Sequence, residues 1–71
     1  MTLPVDLPWM TTVLKKGQVI RKEIGDAVLT VHHMDRRLDP YMATVEKNGV
    51  VTYTGAHLTL GQARQKCERE A

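Results

Sequence analysis

Residues 43–70 read ATVEKNGVVTYTGAHLTLGQARQKCERE, and this stretch decides the fold. β-Branched and aromatic residues alternate with polar ones on both sides of Asn48-Gly49, a pair that is typical of tight hairpin turns. Further along, Thr59 and Gln62 have the capping-box spacing with which many helices begin. The stretch therefore predicts two antiparallel strands followed by a short helix.

The register of this hairpin depends on the length of its turn. A two-residue turn at Asn48-Gly49 would pair Val45 with Thr52 and scatter apolar side chains over both faces. A three-residue loop with Gly49 in the left-handed conformation pairs Val45 with Val51 instead. We expect the second register because it collects the apolar side chains on one face. That face would hold Tyr41, Ala43, Val45, Val51 and Tyr53.

The C-terminal helix is expected to cover that face. Leu60, Ala63 and Cys67 recur at i, i+3 and i+7, which makes a narrow apolar stripe on an otherwise polar helix. The chain has a single cysteine. Its place on the stripe favours a small buried side chain over a nucleophile paired with His57.

Two further strands are predicted before residue 41. Residues 18–24 and 27–34 are rich in β-branched and apolar side chains, and Gly25-Asp26 between them is a turn signal. Together with the hairpin, these segments predict an α+β fold, in which an antiparallel sheet of three to four strands is packed by the C-terminal helix. With 71 residues the chain is long enough for one domain, spanning residues 1–71.

A short N-terminal helix is also predicted. Trp9, Met10, Val13 and Leu14 have helical spacing, and Pro8 suits the first turn of a helix. The β-branched run at positions 11–13 fits a strand equally well. We favour the helix.

Sequence motifs for catalysis, nucleotide binding and metal binding are absent. The chain has no G-x-G-x-x-G, P-loop or G-x-S-x-G pattern. His32 and His33 are adjacent on a predicted strand, so their side chains should point to opposite faces and cannot easily hold one ion. We therefore expect no catalytic residues, no metal and no cofactor, and a function other than that of an enzyme.

The small size and the lone cysteine bear on partners and location. Cys67 cannot form an internal disulfide, so self-association into a homodimer is the expected reinforcement of so small a core. The N-terminal residues lack the pattern of a signal peptide, and no apolar run is long enough to cross a membrane. We expect a cytoplasmic protein without a membrane partner.

Candidate partner-binding residues come first from a charged loop. Arg36 and Arg37 lie between Asp35 and Asp39, where pairing with these carboxylates at the surface is the simplest role. The alternative is an exposed arginine pair that binds phosphates or acidic side chains of a partner. Trp9 is a further candidate, because it can either complete the core or remain exposed as an anchor in an interface.

The other candidates are basic residues near the start of the sheet. Ten Lys and Arg against eight Asp and Glu give a net charge of +2, which permits a polyanionic partner without requiring one. A nucleic-acid contact would use the following residues together with the loop arginines: Lys15, Lys16, Arg21 and Lys22.

The run from Tyr41 to Glu70 resembles the strand, turn, strand and helix of the arm-binding domains of tyrosine integrases and of AP2-type domains. The resemblance is carried by Gly55, Thr59 and Ala63, with Asn-Gly at the turn. In size and layout the chain also resembles small phage and prophage accessory proteins. The integrase resemblance implies DNA binding, with the sheet face in the major groove.

The predicted sheet face departs from that DNA-binding pattern. In the expected register, the face away from the helix holds Met42, Thr44, Glu46, Val50, Thr52 and Thr54. It has an acid, and it has no Lys or Arg to contact phosphates except near the turn. The favoured hypothesis is therefore a non-enzymatic interaction module that binds a protein and regulates or inhibits a host assembly. It would use the arginine loop and an exposed strand edge. A small DNA-binding accessory protein is the alternative.

Overall fold

The computed structural model describes residues 7–35 and 37–71. These residues form four strands and one helix: β1 (Val19–Ile24), β2 (Ala27–His33), β3 (Tyr41–Lys47), β4 (Val50–His57) and α1 (Leu60–Glu70). Each strand pairs antiparallel with the next, in the order β1-β2-β3-β4. The expected α+β fold, a small antiparallel sheet packed by a C-terminal helix, is confirmed.

The core lies between α1 and one face of the sheet, which we call the inner face. The strands contribute fully buried aliphatic side chains, led by Leu29, Val31 and Val45. The helix contributes Leu60, Ala63 and Cys67, which are all buried as the apolar stripe predicted. Thr59 is the N-cap of α1, and its Oγ1 accepts a hydrogen bond of 3.1 Å from the backbone N–H of Gln62, so the threonine half of the predicted capping box is confirmed.

The N-terminal helix prediction is wrong. Residues 8–16 form a turn and extended backbone, in which the N–H of Thr11 donates to the carbonyl of Pro8 at 3.0 Å. Leu7 makes a parallel bridge to Ile20 and so lies beside β1. Only two of the four apolar side chains in the helical pattern are buried, Trp9 and Leu14. Such a short helix is marginal on its own, and contacts with α1 and β1 determine the conformation instead.

The register of the β3-β4 hairpin also differs from the expected one. Asn48 and Gly49 both have positive φ, 52° and 81°, as in a two-residue turn whose twist matches the strands. A bulge then interrupts the ladder, so that Val45 pairs with Tyr53 and not with Val51. The side chain of Thr52, the inserted residue, donates to the carbonyl of Val45 at 3.3 Å.

The bulge explains why most of the side chains predicted for the inner face lie there and why Val51 does not. It takes up one residue and returns Tyr53 to the inner side, where it packs against the core together with Tyr41. Ala43 and Val45 are fully buried on the same face. Val51 pairs with Glu46 on the other side and is 53% exposed, so its predicted burial is wrong.

The outer face of the sheet has no cover among the described residues. The strand register places on it Val19, Arg21, Glu23, Val28, Thr30, His32, Met42, Thr44, Glu46, Val51, Thr54 and Ala56. Each of these side chains is half-buried or exposed. The face is mixed in character, because its acids and bases are interspersed with threonine and small apolar residues.

Candidate functional site

The two edges of the sheet differ in how they are protected. At the β1 edge, Leu7 pairs with Ile20, and its N–H donates to the carbonyl of Val19 at 2.8 Å. At the other edge, no strand within residues 7–35 and 37–71 pairs with the outer side of β4. The backbone groups along that side are therefore a template for another strand.

The sequence of β4 lacks the usual protection of an edge strand. Natural edges carry charged side chains, proline or bulges that prevent pairing with other chains. β1 has Arg21, Lys22 and Glu23, whereas the eight residues of β4, VVTYTGAH, include no Lys, Arg, Asp, Glu or Pro. The bulge at Thr52 protects only the start of β4. The regular part from Tyr53 to His57 is thus an uncharged, unprotected edge.

The hairpin geometry indicates which backbone groups point outward. In a two-residue hairpin the closing pair, here Lys47 and Val50, exchanges hydrogen bonds, and the bonded and non-bonded pairs then alternate along the ladder. After the bulge, Tyr53 is the residue that exchanges hydrogen bonds with its partner Val45 on β3. The N–H and C=O groups of Thr54 and Ala56 therefore point away from β3. These four groups are available to a fifth strand.

An aromatic pair lies along the inner side of this edge. The hydroxyl of Tyr53 is hydrogen-bonded to Nε2 of His57, with 2.8 Å between the two atoms. Gly55 lies between them in sequence, and a β-carbon there would lie 2.6 Å from the Tyr53 hydroxyl oxygen. The absence of a side chain at position 55 is what allows the tyrosine to lie along the strand and reach the histidine.

A shallow groove lies between His57 and α1. The groove has a volume of about 340 Å³, and we call it the helix-side groove; it is lined by His57, Gln62, Gln65, Lys66 and Arg69. The Nζ of Lys66 lies 5.6 Å from the centre of the Tyr53 ring, within reach of a cation–π contact. Lys66 also pairs with Glu70 at 3.4 Å. The groove combines two cations, an imidazole and two amides beside the uncharged edge.

Trp9 is part of the core. Its indole is 6% exposed, and its Nε1 donates to a carboxylate oxygen of Glu68 at 2.8 Å. Arg64 donates to the backbone carbonyls of Trp9 at 3.2 Å and Thr11 at 3.5 Å. These contacts hold the N-terminal segment against α1, in agreement with the core alternative for Trp9.

The basic candidates in and beside the loop after β2 lie mostly in solvent. Arg36 lies outside the described residues. Arg37 is exposed, and the neighbouring Asp35 pairs with Lys16 at 3.3 Å, with both side chains largely in solvent. This ion pair joins the loop after β2 to the segment before β1. Lys15 is exposed next to it.

The other basic candidates, Arg21 and Lys22, do not share a surface with each other. Arg21 and Lys22 are exposed neighbours on β1, where they pair with Thr30 and Leu29, so they point to opposite faces. The structure therefore does not collect the described candidates, Lys15, Lys16, Arg21, Lys22 and Arg37, into a single patch.

The histidines and the cysteine occupy the places expected of them. His32 pairs with Met42 on the outer face, whereas His33 packs edge to face against Tyr41 on the inner one, with 4.9 Å between ring centres. No group of three His, Cys, Asp or Glu in residues 7–35 and 37–71 could hold a metal ion. Burial raises the pKa of the Cys67 thiol to about 11, which disfavours a reactive thiolate.

Sequence reasoning missed the helix-side groove. It considered His57 as a partner for Cys67 and did not connect it with the polar side chains of the helix. One signal was available, because the last predicted strand, residues 50–54, lacks both charge and proline, a property that it shares with residues 27–34. The groove itself depends on how α1 crosses β4, which no local pattern encodes.

No protein-family model, no curated protein and no solved structure matches this chain. α1, the helix found in the described part of the chain, is too short and too polar to cross a membrane. We therefore infer the function from the geometry and chemistry of the chain itself.

Proposed function

We propose that this chain is a non-enzymatic interaction module that binds another protein by adding a strand of that protein to β4. The observation that carries the proposal is the outer edge of β4, which is unpaired, uncharged and free of proline. Strand addition at such an edge gives affinity through backbone hydrogen bonds and specificity through alternate side chains. Such binding would regulate or inhibit a larger assembly, which is the role expected from the sequence.

Binding of nucleic acid has less support from the charges. On the outer face, Arg21 is accompanied by Glu23 and Glu46, so the surface that a DNA-binding sheet would use is not basic. Lys15, Lys16 and Arg37 are exposed and lie outside the strands of the sheet. A phosphate backbone is bound by cations arranged along its path, and Arg21 is the one Lys or Arg among the strand residues of the outer face.

A proline at position 54 tests the proposal. Peptides that bind the wild-type chain would be selected from a display library of randomised ten-residue sequences. Thr54→Pro removes an outward N–H, and proline is tolerated where an edge strand faces solvent. Thr54→Ala is the matched control, because it also truncates the side chain but keeps the N–H.

We expect the selected peptides to bind Thr54→Ala like wild type and to lose about tenfold or more in affinity for Thr54→Pro, the scale of one or two lost hydrogen bonds. Circular dichroism checks that both variants are folded. Failure to select any peptide, or equal binding to both variants, would contradict strand addition. If Thr54→Pro unfolds, competition between a selected peptide and its backbone N-methylated copy gives the same answer, since only the unmethylated peptide should pair.

A further inference from the structure

The helix-side groove indicates what the added strand carries. We infer that the partner segment is acidic, with Asp or Glu at alternate positions whose carboxylates face α1 and enter this groove. The inference rests on the proposed function, because it concerns the side chains of the strand that pairs with β4. It adds the chemical class of the partner.

The distances in an antiparallel sheet bring the partner's side chains to the groove. A fifth strand would lie about 4.8 Å beyond β4, and every second side chain would point to the inner side. On that side β4 presents Tyr53, Gly55 and His57. The space above Gly55 is limited by the Tyr53 hydroxyl, so an inward side chain of the partner extends along the helix flank, where Lys66 and Arg69 lie.

The charges of the groove favour carboxylates over other side chains. Arg69 has no ion pair or side-chain hydrogen bond within residues 7–35 and 37–71, and Lys66 shares only the partly exposed carboxylate of Glu70. The amides of Gln62 and Gln65, which also line the groove, can donate hydrogen bonds to a carboxylate. An apolar side chain would desolvate these groups without compensation.

The same charges disfavour a second copy of this chain as the partner. Antiparallel pairing of β4 with itself places a twofold axis perpendicular to the sheet, so both helices lie on the same face with the same flank toward the axis. Lys66 and Arg69 of one copy would then lie close to Lys66 and Arg69 of the second copy, and these like charges repel. A strand with alternate acids is complementary to this flank, whereas the uncharged β4 of a second copy is not.

The test compares charge changes at the two edges of the sheet. Peptides selected from the randomised display library against the wild-type chain should be enriched in Asp and Glu at alternate positions. They should lose about tenfold in affinity for the Lys66→Gln plus Arg69→Gln variant, the scale of two exposed ion pairs and their hydrogen bonds. The control, Arg21→Gln plus Lys22→Gln, removes the same charge at β1 and should leave affinity unchanged. Binding to the wild type should also weaken as salt is raised.

The outcomes separate the two proposals. Peptides that require the N–H of residue 54 but show no enrichment in acids, or bind both double variants equally, overturn the acidic partner and leave strand addition standing. An absence of peptides that require this N–H overturns both. A wild-type dimer in light scattering that becomes a monomer in Thr54→Pro would identify a second copy as the occupant and overturn the acidic partner.

Discussion

At the scale of single residues, two glycines near each other in sequence differ in the space that they leave for a β-carbon. One at Gly55 would lie 2.6 Å from the Tyr53 hydroxyl oxygen, whereas one at Gly61 in α1 would meet no atom within 4 Å. Gly55→Ala should therefore displace the tyrosine from His57 and lower the free energy of unfolding by about 1–2 kcal/mol. Gly61→Ala should raise it by up to about 1 kcal/mol, because alanine favours helix. Urea unfolding of both variants measures the difference, and changes of the same sign would contradict this account.

A second prediction at this scale concerns the buried thiol. Burial raises the pKa of Cys67 to about 11 from 9.0, and its Sγ contacts the carbonyls of Thr30 and Thr44 at 3.8 Å each. The pKa of this thiol is higher in the folded chain than in the unfolded chain. The stability that comes from burying the neutral thiol is therefore present in full below pH 9 and is lost as the pH rises toward 11.

Between pH 8 and pH 10.5, the unfolding free energy of the wild type should fall by about 2 kcal/mol more than that of Cys67→Ala, which has no thiol to ionise. The comparison requires denaturant unfolding of both proteins at both pH values, because lysines and tyrosines also titrate in this range. An equal alkaline loss in the two proteins would show that the thiol does not titrate as its burial requires.

At the scale of elements, the start of α1 depends on one hydroxyl. The helix has 11 residues and no acidic residue in its first turn, so Thr59 is the group that compensates its N-terminal N–H groups. Thr59→Ala should cost about 1 kcal/mol of stability, and Thr59→Ser, which keeps the hydroxyl, should cost much less. Thermal unfolding of the two variants measures this. An alanine variant as stable as the serine one would exclude a capping role.

The elements themselves could be predicted from local signals, and their register could not. Asn48-Gly49 and the threonine cap mark a turn and a helix start through their own backbone preferences. The bulge at Thr52 has no such local cause. It allows a two-residue turn and a buried Tyr53 in the same hairpin. The burial of Tyr53 depends on the packing of the sheet against α1, which local sequence does not encode.

The N-terminal segment was mispredicted for a related reason. Its apolar spacing fits a helix, but the indole of Trp9 is fixed by Glu68 from the far end of the chain, and Leu7 is fixed by β1. Contacts at such sequence separation override a weak local preference. The candidate site was missed in the same way, because the proximity of Lys66 to Tyr53 follows from the packing of α1 on β4.

At the scale of the whole molecule, the fold uses its few elements to cover one face of the sheet and one edge. α1 and the segment around Trp9 cover the inner face, and Leu7 pairs with β1. The β4 edge and the outer face remain uncovered by the described residues. Of these two surfaces, the edge has both an unpaired backbone and a groove of defined charge, which is why we place the binding function there.

The most direct measurement of this claim is amide hydrogen exchange of Thr54 and Ala56, by NMR, with and without a saturating selected peptide. In the free protein both N–H groups should exchange rapidly, while the amides of Gly55 and His57, which face β3, should be protected. We expect the peptide to slow exchange at Thr54 and Ala56 by tenfold or more, because a fifth strand pairs with them. If those two amides stay fast while protection appears at β1 or around Arg37, the claim that β4 accepts the partner is contradicted.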